Sequence, residues 1–145
     1  MALELDRYPV IGYGDEVSES TDPEELRLLR KWEVAIGYRI FSALRWGQLG
    51  DGHITARDPE RLDHFWVLAH GIPFWAATID NLSLVGPDGE VVEGAIAGGI
   101  NYAAYNIHWP ILDARPDLVS AAHTHTAFGT PWSANLKPFQ AISQE

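Results

Sequence analysis

A chain of 145 residues with 46% hydrophobic and 21% charged residues has the makeup of a globular protein with room for one core. Its formal net charge of −10 excludes the basic footprint that a nucleic-acid backbone requires. The absence of cysteine removes disulfides and thiolate sites, so any metal must be held by histidine, carboxylate or water. The apolar runs are only a few residues long, far short of a membrane span, and the first residues lack the basic start and apolar centre of a secretory signal. Together these predict a cytoplasmic protein with neither a nucleic-acid nor a membrane partner.

Residues 1–21 show no sustained period and include the acidic, Ser-rich "GDEVSESTD", which predicts an extended arm packing Tyr8 and Ile11 on the body or on a partner. Residues 22–145 form the expected domain. "DPEELRLLRKWEVAIGYRIFSALRWG" is the clearest helix: Asp22 can cap, Pro23 suits the first position, and Glu24 and Glu25 suit the positive end of the dipole. Its expected core stripe is Leu29, Ile36, Ile40 and Ala43 or Leu44, with Gly47 as the stop and Arg27, Arg30 and Lys31 on the other side. "GHITARD" and "HFWVLAHG" then read as short strands around a "PERLD" turn, and "LSLV-GPDG-EVVEG" as a hairpin. In "GGINYAAYNIHWPILDARPD" a helical stripe runs through Ile100, Ala103 or Ala104, Ile107 and Ile111, with Pro110 expected to kink or restart the helix. "LVSAAHTHT" is a strand, and "PWSANL" can begin another helix. This order predicts mixed α and β elements around a largely antiparallel sheet.

The chemistry-bearing residues are mostly histidines. In a strand, His123 and His125 lie on one face about 6.6–7 Å apart, close enough to converge on one ion through bonds of about 2.0–2.1 Å. The plainer reading is two half-exposed histidines satisfied by their neighbours. His108 shares a helix face with Ala104; it can reach a site, although a core hydrogen bond is the commoner role for such a residue. His53 follows Gly52, whose bare backbone lets a ligand approach. His64 and His70 are expected at the surface, and Asp51, Asp58 and Asp80 at turns. Arg57 and Arg115 could clamp a carboxylate, and Arg115 could equally pin its loop through an ion pair.

"DGHITARDP", "NYAAYNIHWPILDARPD" and "VSAAHTHTAFGTPWSA", in this order, resemble the class II aldolase/adducin family over Glu24 to Glu145. The resemblance implies a three-layer α/β/α sandwich around a mainly antiparallel sheet, assembled as a homotetramer. It implies that His123 and His125 bind a divalent metal, zinc in the usual case, with iron or manganese as alternatives. Gly52, His53 and Thr55 fall in the loop that contacts substrate, a small hydroxy- or oxo-carbonyl compound in an aldolase- or decarboxylase-type lyase reaction.

Two departures stand out. The position that carries an acid/base glutamate in the sugar-phosphate aldolases is Ala104 here, which leaves His108, Tyr105 or water as stand-ins for proton transfer. The family's third metal histidine lies further downstream than "FQAISQE", so the domain reads as incomplete at its C-terminus. Both features are also expected of a non-catalytic adducin-like interaction module or an inactive fragment.

Overall fold

Among the described residues, five strands form one antiparallel sheet in the order β4-β3-β2-β1-β5. They are β1 (His53–Arg57), β2 (Phe65–Leu68), β3 (Leu82–Val85), β4 (Val91–Gly94) and β5 (Ser120–His123). The computed structural model describes residues 21–95 and 98–138, so the arm with Tyr8 and Ile11 lies outside the described residues.

Alternation along the strands splits the core in two. Ile54 and Ala56, Trp66 and Leu68, and Leu82 and Leu84 pack with Val34, Tyr38 and Phe41 of helix α1 (Pro23–Leu44). Phe65, Val67 and Val85 pack with Ile100, and with Ala104 and Leu112 of helix α2 (Tyr102–Ala114). Helices on both faces explain why β1, β2 and β3 are buried along their whole length. The fold is the three-layer α/β/α sandwich.

Helix α1 starts as its sequence dictates: Asp22 Oδ1 accepts the Glu24 N–H at 2.9 Å and the Glu25 N–H at 3.5 Å. Its end differs from expectation. Arg45 takes the left-handed conformation (φ 59°) and closes the helix, and Gly47 instead makes room for Phe74, whose ring would lie 2.6 Å from an added Cβ. The buried stripe is Val34, Ala35, Tyr38 and Phe41, while Ile40 and Leu44 are about half exposed (48% and 50%). The helix carries two apolar stripes, and the one with two aromatic rings buries more surface per residue. Tyr38 makes an edge-on contact with Phe74 at 4.8 Å.

Helix α2 is one helix, capped by Asn101 and running through Pro110 without a restart. The bond Pro110 cannot donate belongs to the carbonyl of Asn106, an exposed residue where water can serve. The buried stripe is Ala104, His108 and Leu112, so Ile107 and Ile111, both 41% exposed, are not its core face. The helix predicted at "PWSANL" is the short α3 (Gly129–Ser133). Among the described residues no helix is long and apolar enough to cross a membrane.

Candidate metal centre

Pairing of β1 with β5 sets His53 opposite His123 and Thr55 opposite Ala121. These residues share the sheet face that looks toward α2, and His108 descends onto it from the buried stripe of that helix. A chain of polar contacts results. Thr55 Oγ lies 2.7 Å from His108 Nδ1, and His108 Nε2 lies 2.9 Å from His53 Nδ1. The His53 ring stacks on His123 at 4.9 Å, and His123 Nε2 stands 2.9 Å from His125 Nε2.

The convergence of His123 and His125 does not come from strand alternation alone. Strand β5 stops at His123, short of the predicted "LVSAAHTHT", and His125 lies beyond it. The backbone N–H of His125 donates to the Trp46 carbonyl at 3.0 Å, so the turn after α1 holds the second imidazole in place. Gly52 allows this close approach: a Cβ there would sit 2.9 Å from the His123 carbonyl oxygen.

Thr55, His108 and His53 are almost fully buried, at 0%, 1% and 3% exposure. Burial, with the neighbouring histidines His123 and His125 as a second cause, pushes His53 down to about 4. Burial, with His53 and His123 adding to it, does the same to His108. Both are neutral imidazoles at pH 7. His123 is half-buried and His125 exposed.

Beside His53 opens a small cleft, lined by Gly50, Gly52, His70, Phe74 and Asn101 among others. Asn101, at the start of α2, donates from Nδ2 to the Gly50 carbonyl at 3.0 Å and ties two walls together. The position of His70 on this wall had no signal in the sequence, where it reads as a surface residue; it is exposed and lines the cleft as well. Neither the Trp46 anchor nor the Asn101 tie has a local sequence pattern.

The remaining candidates have structural partners. Asp51 accepts the backbone N–H groups of Gln48 (2.6 Å) and Leu49 (3.0 Å), a turn role. Asp80 lies in a short 3₁₀ turn. Asp58 does more than close a turn. Fully buried, it accepts from Glu60 N, Arg61 N, Trp66 Nε1 and the guanidinium of Arg27. Arg57 is no clamp for a ligand: its guanidinium is buried among the carbonyls of Leu62, Leu112, Arg115 and Leu118. Arg115 pairs with Asp117 at 2.6 Å.

The paired Nε2 atoms suit two donor positions on one small divalent cation. No group of three or more His, Asp or Glu residues arranged to hold a metal occurs among the described residues. Ala104 is fully buried in the apolar cluster one turn before His108, so that position supplies no carboxylate.

Comparison with known proteins places the fold in a family. The chain is 38% identical over 125 residues to the decarboxylase NovR of Streptomyces niveus, covering 83% of this chain and 45% of the relative. It is 31% identical over 129 residues to alpha-adducin of Rattus norvegicus, covering 88% of this chain and 18% of the relative. The solved structure of L-fuculose 1-phosphate aldolase from Glaciozyma antarctica PI12 superposes with a TM-score of 0.77 at 34% identity, over 82% of this chain and 49% of that one. The chain thus spans under half the length of each. Residues 33–145 match the Class II Aldolase and Adducin N-terminal domain, and the chain belongs to that family.

Proposed function

We propose that this chain carries a divalent-metal-dependent lyase-type site, aldolase- or decarboxylase-like, for a small hydroxy- or oxo-carbonyl compound. The observation that carries the reading is the meeting of His123 Nε2 and His125 Nε2 at 2.9 Å, with His123 stacked on His53, a residue that lines a small cleft. Relatives named as a decarboxylase and an aldolase support the reaction class. In this reading His123 and His125 hold the ion, zinc with iron or manganese as alternatives, and water can fill other positions. A bound divalent cation supplies Lewis acidity toward a carbonyl oxygen. Gly52 and His53 face the substrate from the cleft wall. Thr55 serves the site through His108, which orients His53 rather than reacting itself. Residues 22–145 act as the domain and 1–21 as an arm; homotetrameric assembly and a cytoplasmic location belong to the same reading.

The test is a calorimetric titration of the metal-free protein with Zn²⁺. One equivalent bound by the parent and none by His123→Ala is expected; absence of binding by the parent overturns the reading.

A second reading, a non-catalytic adducin-like module or inactive fragment, is favoured by one observation: the apolar, fully buried Ala104. Turnover of any small hydroxycarbonyl compound that disappears in His125→Ala rules this one out.

A further inference from the structure

The four histidines do not share one role, and hydrogen-bond direction separates them. A backbone carbonyl can only accept, and the Ala121 carbonyl lies 3.5 Å from Thr55 Oγ as acceptor of its hydroxyl. With its single proton directed there, Thr55 Oγ accepts from His108 Nδ1–H across 2.7 Å. A neutral imidazole protonated at Nδ1 has its lone pair at Nε2. His108 Nε2 therefore accepts from His53 Nδ1–H across 2.9 Å, and the His53 lone pair is left at Nε2. Reversing the chain forfeits the bond to Ala121: forward, His53 to His108 to Thr55 to Ala121, makes three hydrogen bonds, and backward makes two.

We propose that Thr55 and His108 are positioning residues that lock His53 as its Nδ1–H tautomer, so that the wall of the cleft presents an imidazole lone pair instead of an N–H. The ligand class this suits brings a hydroxyl to His53, as a hydroxycarbonyl compound does. It also gives a purpose to burying a threonine hydroxyl and two imidazoles, which cost stability unless each is paired. The inference deepens the function proposed above and rests on it only for its meaning to a substrate; the tautomer itself is a property of the metal-free chain.

The experiment is long-range ¹H–¹⁵N correlation NMR of the histidine rings in metal-free protein at neutral pH. The parent should show His53 with Nδ1 in the protonated, pyrrole-like region and Nε2 in the lone-pair region, as a single tautomer. Thr55→Val, nearly isosteric but unable to accept from His108, should turn this into a mixture, and Thr55→Ser should restore the single form. A His53 found as Nε2–H in the parent overturns the proposal, as does a Thr55→Val spectrum unchanged from the parent. Should Thr55→Val not fold, the parent spectrum alone decides the direction of the chain. A Zn²⁺ titration of the same sample reads the function separately. No metal uptake with an intact His53 tautomer sinks the lyase reading alone, and metal uptake with the opposite tautomer sinks the positioning inference alone.

Discussion

His53 and His123 stand opposite each other across the β1–β5 pair, and their rings stack at 4.9 Å with 24° between planes. The contact joins two halves of a site: a buried, hydrogen-bonded half on β1 and α2, and a more accessible half at the end of β5. The halves should fail differently when perturbed.

Removing His123 should abolish metal uptake while leaving the fold in place. The ring is half-buried at the end of a four-residue edge strand, so His123→Ala removes little core. The loss in Zn²⁺ affinity should exceed the roughly 10–100-fold that losing an outer partner of a metal ligand costs. Calorimetry of the variant against the parent checks this, with circular dichroism as the fold control.

Gly52→Ala should weaken metal uptake without removing any ligand. The added Cβ meets the His123 carbonyl at 2.9 Å, a backbone atom that cannot step aside alone. Either β5 shifts or the turn before β1 does, at about 1–3 kcal/mol. Thermal unfolding and Zn²⁺ titration should both register the change, and a variant indistinguishable from the parent in both would contradict the geometry.

Asp58 should dominate the acid limb of stability. Its carboxylate is held well below the usual range by the Arg27 guanidinium, by two backbone N–H groups and by the Trp66 indole, which together overcome its burial. A depressed folded-state value adds stability above the unfolded value near 4, lost as pH falls toward the folded value. Melting temperature should therefore drop steeply below about pH 4. Asp58→Ala leaves the Trp66 indole and Arg27 without this partner and should cost about 3–5 kcal/mol at neutral pH.

His108 should act in a higher window with the same direction. Its folded value is pushed down to about 4, so the unfolded chain binds the proton more readily between there and about 6.5. Its stability contribution is present above about 6.5 and is lost as pH falls toward 4. Urea midpoints of metal-free protein measured from pH 7 to pH 4.5 should decline. His108→Gln, which cannot titrate, should reduce that decline without abolishing it, because His53, also pushed down to about 4, titrates in the same window. A parent midpoint constant across this range would refute the assignment.

Much of the architecture is local and was legible. Asp22-Pro23-Glu24-Glu25 marks the start of α1 because cap, fixed φ and dipole all act within one turn. "LSLVGPDGEVVEG" marks the hairpin, whose turn closes with Gly86 N–H on Glu90 O and Gly89 at φ +81°. Buried faces were harder to read. The stripe through Ile36, Ile40 and Leu44 matches helical spacing as well as the stripe through Val34, Tyr38 and Phe41. Which one is buried depends on Trp66, Leu68 and Phe74 arriving from elsewhere. The same holds for α2, where Ile107 and Ile111 lost the core face to Ala104, His108 and Leu112.

The sequence by itself determined the elements, the family and the list of histidines, because periodicity, capping and motif spacing are written within a few residues of one another. Only the tertiary structure decided how those histidines divide. His125 is held by a carbonyl from the end of α1, and His108 is joined to His53 and Thr55 across the sheet face. Those contacts connect groups more than fifty residues apart, with |i−j| of 55 and 53 for the two His108 bonds. Their partners are chosen by strand register and helix rotation, which the packing of the whole core fixes.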